Sequence, residues 1–272
     1  MSADEIETGA YYPRSKRNSL TIQWAAIRAL FLRELQTRFG HYRLGYLWAI
    51  LEPGLHIGFL LAVVTLGLGR QMSGMSYGVF LLCGILPWFM FTRSASRALG
   101  AIEGNRGLFN YRPVLPIDAV IARTALEGVL YFGTFVLFTL FFAWIDSTVR
   151  FNHVPLVICT WLVLWLLSLG FSLLMMVFGY FFSELAKVMG IVFMVLYFSS
   201  GIMFSLHLVP EKYQHYLLWN PVVHAFEFIR FGVYDGYPIG HVDYDYLLIA
   251  TLTVLFFGLF FYRAYEKRMM TS

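Results

Sequence analysis

Three arginines recur at five-residue intervals just before the first long apolar run of the chain. Arg33, Arg38 and Arg43 lie in the segment 31–53, which reads FLRELQTRFGHYRLGYLWAILEP. A guanidinium group is planar and can bind phosphate through two parallel hydrogen bonds. The three arginines are therefore candidate contacts for phosphate groups at the inner leaflet of a membrane.

The residues around these arginines are patterned as an amphipathic helix over 20–44. Apolar residues recur at mostly helical spacing: Leu20, Trp24, Ile27, Leu30, Phe31, Leu35 and Phe39. Such a helix lies in the water–lipid interface with its apolar face toward the lipid. The pattern leaves two roles open, a passive anchor and an active part of a lipid-handling site.

Polar residues occupy the start of the first apolar run: Glu52, Pro53 and His56. A carboxylate inside a membrane is costly, so Glu52 should face protein or water. Glu52 and His56 are four residues apart and share one helix face. A structural carboxylate that pairs with an arginine or caps a kinked turn would explain the pattern. A substrate gate is the functional alternative, and a proton-coupled role is a third.

Further arginines follow at helical spacing in the next two spans. Arg93 and Arg97 share one helix face, as do Arg123 and Glu127. Long arginine side chains can reach the cytoplasmic interface without any function. Otherwise Arg93, Arg97 and Arg123 line a basic cytoplasmic vestibule, in which Arg93 and Arg97 add to the phosphate contacts.

Composition indicates a chain built for a lipid bilayer. Of its 272 residues, 59% are apolar and only 13% are charged, whereas a soluble domain has about 25% charged residues. We predict an all-α polytopic membrane protein with six transmembrane helices. The predicted spans are 47–69, 78–101, 119–143, 154–182, 188–206 and 246–262.

The positions of lysine and arginine predict the orientation. Six spans place both termini on one side of the membrane, and that side holds 16 of the 20 basic residues. Because basic loops stay in the cytoplasm, both termini are predicted to be cytoplasmic, with residues 1–19 as a flexible tail. The net charge of +4 follows this topology and does not indicate nucleic-acid binding.

The largest internal cytoplasmic loop, 103–117, mixes glycine and proline with apolar residues. Leu108, Phe109 and Tyr111 are apolar groups on a loop that faces water, and such groups usually cover a partner surface. The alternative is that they fold back onto the membrane.

The segment 207–245 is neither a clean span nor a polar loop. Two apolar stretches meet at Trp219, Asn220 and Pro221, where the Asn-Pro step disfavours a continuous helix. Each stretch is too short to cross a bilayer. We therefore expect a re-entrant hairpin or an interfacial pair of short helices that caps a pathway on the outer side; an aromatic-rich loop resting on the outer leaflet is the alternative.

Aromatic residues make up 19% of the chain. Sugar faces stack on aromatic rings, so four of them could line a sugar path: Trp88, Trp161, Trp165 and Tyr197. Ordinary membrane packing would explain the same residues. The sequence has no GxxxxGK[ST] phosphate loop, zinc-type Cys/His group or recognisable Ser-His-Asp set. A permease that needs an external energy source is therefore favoured over an enzyme.

Three stretches resemble one family, the capsular polysaccharide export permeases of the Kps kind, which are membrane subunits of ABC-2 type exporters. They are the segment 31–53 quoted above, AIEGNRGLFNYRPVLPID at 101–118 and YLLWNPVVHAFEFIR at 216–230. The resemblance runs in order through nearly the whole chain. Permeases for O-antigen and teichoic acid export share the architecture but match these stretches more loosely.

The resemblance implies a single ABC-2 type transmembrane domain over 20–272 in the bacterial inner membrane. It implies a homodimer with two separate ATPase subunits, which bind the ATP and Mg, so this chain carries no cofactor. It further implies a lipid-linked polysaccharide substrate and periplasmic adaptor and outer-membrane partners. By resemblance, 20–44 is a gate helix, 207–245 holds the periplasmic re-entrant helices, and 103–117 is an ATPase-coupling loop. The loop's matching residues are Glu103, Asn105, Leu108, Phe109, Tyr111 and Arg112.

Two other classes of function stay open on the residues alone. A proton-coupled small-molecule carrier would use Glu52, His56 and Glu127 as its relay. A membrane scaffold subunit would need no transport path.

Overall fold

The computed structural model describes residues 19–39, 45–67, 75–108, 114–145, 149, 153–234 and 236–271. Over these ranges the regular structure is helical, without strands. The α-helices are α1 (Ser19–Phe39), α2 (Gly45–Gly67), α3 (Tyr77–Leu99), α4 (Pro116–Ile145), α5 (Val154–Phe181), α6 (Leu185–Ser199), α7 (Glu211–Leu217), α8 (Pro221–Val233) and α9 (Tyr244–Thr271). Glu103–Leu108 and Leu206–Leu208 form short 3₁₀ helices.

Five helices in this part of the chain are long and apolar enough to cross a membrane: α2, α3, α4, α5 and α9. Each coincides with a predicted span, although α9 continues to Thr271, beyond the predicted end at 262. The predicted span 188–206 differs more, because α6 has 15 residues and ends at Ser199. The chain turns there through Gly201, whose φ of 67° suits glycine.

The helix α3 forms the centre of the bundle. Nearly all of its residues are buried, and it contacts α2, α4, α5, α6 and α8. A helix that is apolar all round suits this position. By contrast, α2 exposes Leu55, Phe59 and Leu66, which gives it an apolar outer face that lipid can cover.

The helix α1 packs on α4 over the middle of its apolar face. Leu30 is buried against Ala119 and Ala122 of α4, with Ile27 and Phe31 beside it. The first residues of the stripe, Leu20 and Trp24, are exposed. The predicted apolar face of α1 therefore packs on α4 in its middle and is exposed at its start. Of the predicted segments, residues 1–18 and 40–44 lie outside the described residues.

The helices α5 and α9 approach each other through glycine. A Cβ atom on Gly258 would lie 2.5 Å from the carbonyl oxygen of Gly170, and one on Gly170 would lie 2.7 Å from the Cα of Leu255. Small residues allow two membrane helices to come this close, and the gain is close van der Waals packing.

We expect Gly258→Ala to lower the thermal unfolding midpoint of the detergent-solubilised protein. The added methyl group would meet backbone, and overpacking of this kind typically costs about 1–3 kcal/mol. Gly133→Ala is the matched control, because a Cβ on Gly133 has no heavy atom within 4 Å among the described residues. Equal midpoints for the two variants would contradict the close packing of α5 on α9.

Candidate functional site

Ion pairs join α1, α2, α3 and α4 at the end of the bundle that the sequence assigns to the cytoplasm. We call this group the arginine cluster, and its members are Arg33, Glu34, Arg38, Glu52, Arg93, Arg97, Arg123 and Glu127. Most of the pairs connect different helices, so the cluster holds the four helices together by charge.

Glu127 of α4 is the most deeply buried acid of the cluster. Its side chain has 0% exposed surface, and its Oε1 lies 2.6 Å from Arg38 Nη1 and 2.8 Å from Arg97 Nε. A buried carboxylate is stable only when it is paired and hydrogen-bonded. One acid therefore fixes both α1 and α3 to α4.

Arg123, one turn before Glu127, makes a second set of connections. Its Nε donates to Glu34 Oε1 at 2.9 Å, and its Nη1 donates to the carbonyl oxygen of Arg97 at 2.8 Å. The Arg123 side chain is largely buried, so it lies inside the cluster and does not extend to the interface. Farther along, Gln23 of α1 donates to Asp118 of α4 at 3.1 Å.

Two of the three residues predicted at the gate, Glu52 and His56, attach α2 to neighbouring helices. Glu52 pairs with Arg93 of α3, which is the structural role that the sequence allowed for it. His56 forms a hydrogen bond of 2.7 Å with the hydroxyl of Tyr197 on α6. Pro53 is buried within α2.

The arginine cluster carries a surplus of positive charge. It contains five arginines and three glutamates, and Glu127 forms ion pairs with two of the arginines. The side chains of Arg93 and Arg97 are 47% and 33% exposed, so part of this charge is reachable. Chemically, such a group can hold an anion through charge-assisted hydrogen bonds.

The loop between α3 and α4 lies beside the arginine cluster. In its 3₁₀ helix, Glu103 and Arg106 are exposed, whereas Asn105 is only 1% exposed. The Asn105 side chain accepts a hydrogen bond from Arg33 of α1. Asn105 therefore faces α1 and does not belong to the outer surface of the loop. Leu108 ends the 3₁₀ helix; Phe109, Tyr111 and Arg112 of the predicted loop and Arg43 lie outside the described residues.

The four predicted channel aromatics fall into two separate places. Trp88 and Tyr197 meet edge-on, with ring centroids 6.2 Å apart, near His56. Trp161 packs with Phe132 and Phe135 between α4 and α5. Trp165 donates from Nε1 to the carbonyl oxygen of Thr124 at 2.9 Å. The structure therefore brings together only Trp88 and Tyr197.

The opposite end of the bundle carries the predicted pair of short helices, α7 and α8. Their break falls at Asn220 and Pro221, as predicted. The Asn220 side chain accepts from the backbone N–H of Val222 at 3.1 Å and so caps α8, and Pro221 occupies its first turn. Trp219 is 76% exposed.

A buried ion pair fixes α8 to the bundle. Arg230 has no exposed surface and donates from Nη1 to Glu227 Oε1 at 2.7 Å and from Nη2 to the carbonyl oxygen of Gly201 at 2.8 Å. Its guanidinium carbon also lies 3.6 Å from the ring centre of Phe80 on α3, a favourable cation–π geometry. One arginine thus connects α8, the end of α6 and α3.

Tyr237 donates a further hydrogen bond to Glu227. Its hydroxyl donates to Glu227 Oε2 at 2.9 Å, and burial raises the pKa of Tyr237, which keeps that hydroxyl protonated. This cluster of Glu227, Arg230 and Tyr237 was not predicted from the sequence. An acid and an arginine three residues apart within an apolar stretch were the available signal.

No group of three or more His, Cys, Asp or Glu side chains suited to a metal ion lies within the described ranges. The fold and the two charged clusters define the class: a polytopic helical membrane protein with paired charges near both ends of an apolar bundle.

Known proteins match the chain over most of its length. The ABC-2 type transporter family matches residues 25–234. The polysialic acid transport protein KpsM of Escherichia coli is 45% identical over 94% of this chain and 99% of its own length. The capsule polysaccharide export inner-membrane protein CtrC of Neisseria meningitidis is 29% identical, over 89% and 91%. The O-antigen export system permease protein RfbA of Klebsiella pneumoniae is 24% identical, over 81% and 83%.

The chain therefore belongs to the ABC-2 type transporter family and is a membrane permease subunit. The resemblance to capsular polysaccharide export permeases that the three sequence stretches indicated is confirmed by these similarities.

We expect Arg230→Met to destabilise the solubilised protein strongly. It would leave Glu227 buried with Tyr237 as its remaining close donor, and removal of one partner from a buried pair typically costs about 3–5 kcal/mol. The double variant Arg230→Met with Glu227→Gln should recover part of this loss, because it removes the unpaired charge. Thermal or denaturant unfolding of the purified protein measures both.

The control for that series is Arg263→Met. Arg263 pairs with Glu266 on the surface, where its side chain is 80% exposed, and exposed pairs contribute about 0–1 kcal/mol. If Arg230→Met unfolds at the same midpoint as Arg263→Met, the Arg230–Glu227 ion pair does not hold α8 in place.

Proposed function

We propose that this chain is the permease subunit of an ATP-driven exporter that moves lipid-linked capsular polysaccharide from the cytoplasm across the inner membrane. The observation that carries the proposal is the identity with KpsM over nearly the full length of both chains. The related CtrC adds a second capsule exporter. The lower identity to RfbA makes an O-antigen or teichoic acid type substrate the alternative.

The arginine cluster is the proposed recognition site for the anionic head of that substrate. A lipid-linked polymer presents phosphate at the inner leaflet, and guanidinium groups bind phosphate with two hydrogen bonds. Arg33, Arg38 and Arg123 are largely committed to contacts with protein. Arg93, Arg33 and Arg97 have the most exposed side chains of the cluster, at 47%, 37% and 33%. Because the guanidinium group of Arg33 is held by the buried Asn105, Arg93 and Arg97 are the proposed direct contacts, together with Arg43, which follows Arg38 by five residues.

Six spans with both termini in the cytoplasm remain the proposed topology. Support comes from α6, which runs from one end of the bundle to the other. It begins soon after α5 passes the carboxyl end of α3, where Gly179 lies against Leu99. Just beyond its end, the carbonyl oxygen of Met203 accepts from Tyr77 at the amino end of α3. We propose that α6 crosses the membrane and that α7 and α8 form the periplasmic re-entrant cap, with Trp219 at its surface.

The proposed partners follow from the family. Two copies of this chain would enclose the polymer path. Tyr197, which is partly exposed, is the proposed aromatic lining, and Trp88 lies behind it with 3% of its surface exposed. Two ATPase subunits would bind ATP and Mg and dock on the loop 103–117 through its exposed residues. Periplasmic adaptor and outer-membrane proteins would continue the path.

A proton-coupled carrier is disfavoured by the contacts of its supposed relay. Glu52 is paired with Arg93 and Glu127 with two arginines. These ion pairs give both carboxylates a role in joining helices, which accounts for the two acids without a proton relay.

We expect Arg97→Gln to reduce polymer export about tenfold, because one charge-assisted contact to phosphate contributes roughly 1.5–3 kcal/mol. Glu127 keeps Arg38 as its partner in this variant, so the fold should be retained. Surface polymer is quantified per copy of assembled transporter. Arg28→Gln is the control, because Arg28 is exposed on α1 and lies outside the cluster. Equal export by the two variants would remove Arg97 from substrate recognition.

The whole proposal is tested by deleting the chain in an encapsulated host and measuring where capsule polymer collects. Intracellular polymer with intact synthesis, restored to the surface by the wild-type chain, is the expected result. Polymer that still reaches the surface would overturn the capsule assignment.

A further inference from the structure

The loop that the proposed function assigns to the ATPase has an outer face and an inner face. Glu103, Gly104, Arg106 and Gly107 are exposed and can meet a docked partner. Asn105, in the middle of the same 3₁₀ helix, is 1% exposed. A side chain with so little surface cannot contribute a docking contact, although it lies within the coupling segment.

Both ends of the Asn105 amide are occupied by protein. Its Oδ1 accepts from Arg33 Nη2 of α1, and its Nδ2 donates to the carbonyl oxygen of Ala101 at 2.8 Å. The amide thus links the start of the loop to a helix 72 residues earlier in the chain. Because the group is buried, the loss of either bond would leave a polar atom without water to replace its partner.

A second contact reinforces the same link. A Cβ atom on Gly104 would lie 3.2 Å from Arg123 Nη2, so the loop rests directly on Arg123. Arg123 in turn donates to Glu34 at 2.9 Å, and Glu34 Oε1 lies 3.9 Å from Arg33 Nη2. The loop, α1 and α4 therefore meet in one closed set of contacts: Arg33, Glu34, Asn105 and Arg123.

The helix α1 also carries a residue of the arginine cluster, so a movement of α1 would reach that cluster. Five residues beyond Arg33, Arg38 binds Glu127 at the centre of the arginine cluster. A displacement of the loop that carries Arg33 with it would therefore shift Arg38 relative to Glu127 and Arg97. The charge that faces the substrate would change as the loop moves.

We infer that the Asn105–Arg33 hydrogen bond is the joint through which movement of the ATPase-docked loop reaches α1 and the arginine cluster. This rests on the proposed function. Asn105 is a positioning residue that contacts neither the ATPase nor the substrate, and Arg33 transmits movement in place of binding phosphate.

The test uses the full transporter, purified with its ATPase and reconstituted in vesicles. Asn105→Leu and Arg33→Met each remove the joint. The ATPase should still co-purify and hydrolyse ATP, while polymer export per ATP hydrolysed falls about tenfold, as expected for loss of one charged hydrogen bond. The double variant should be no worse than either single variant, because both remove one shared contact. Arg33→Lys, which keeps a charged donor, should retain part of the coupling.

The matched control is Arg28→Met, an arginine-to-methionine change at an exposed position of the same helix, which should export per ATP like the wild type. Loss of ATPase binding in Asn105→Leu would overturn the inference and make Asn105 a docking residue. Normal export per ATP, or additive losses in the double variant, would overturn it as well. If the wild-type chain itself neither binds an ATPase nor exports polymer, the proposed function fails, and the joint fails with it for that separate reason.

Discussion

The pairing of Glu127 with two arginines is the constraint on which one end of the bundle, the end with the arginine cluster, depends. A carboxylate without exposed surface must have cations beside it, and here those cations come from α1 and α3. The interface helix is therefore held to the bundle by charge as well as by the apolar contacts of Leu30 with α4. The same cluster has more arginines than glutamates, which links the packing of the helices to the proposed recognition of an anion.

At the opposite end of the bundle, which carries α7 and α8, buried charge is again paired, but with different groups. There Arg230 uses an acid, two backbone carbonyl oxygens and an aromatic ring at once. Its guanidinium group fixes a short helix that the bilayer alone could not hold, since α8 has only 13 residues. Charges thus fasten α1 at one end of the bundle and α8 at the other, while the apolar helices α3, α5 and α9 form the body between them.

Hydropathy and turn chemistry predicted most of the fold. Five spans appear where apolar runs require them. The Asn220–Pro221 step separates α7 from α8, because the residue before a proline disfavours helix and proline itself suits the first turn of the next helix. The length of α6 was overestimated, since the apolar residues after Ser199 fold into a turn at Gly201. Helical spacing placed Arg123 and Glu127 on one face but could not reveal their partners on α1, which lie 89 residues earlier in sequence. The burial of Asn105 was hidden for the same reason, because it depends on α1 folding over the loop.

The order of residues along the chain favours the insertion of Glu127 into the membrane during synthesis. Arg38 and Arg97 are both made before Glu127, so the two cations are already present at the membrane when α4 emerges from the ribosome. The acid can enter an apolar environment directly into a neutralising pair and need not wait there alone. A permuted chain with α4 ahead of α1 and α3 would have the same contacts when folded but would first have to insert an uncompensated carboxylate, which is costly in hydrocarbon.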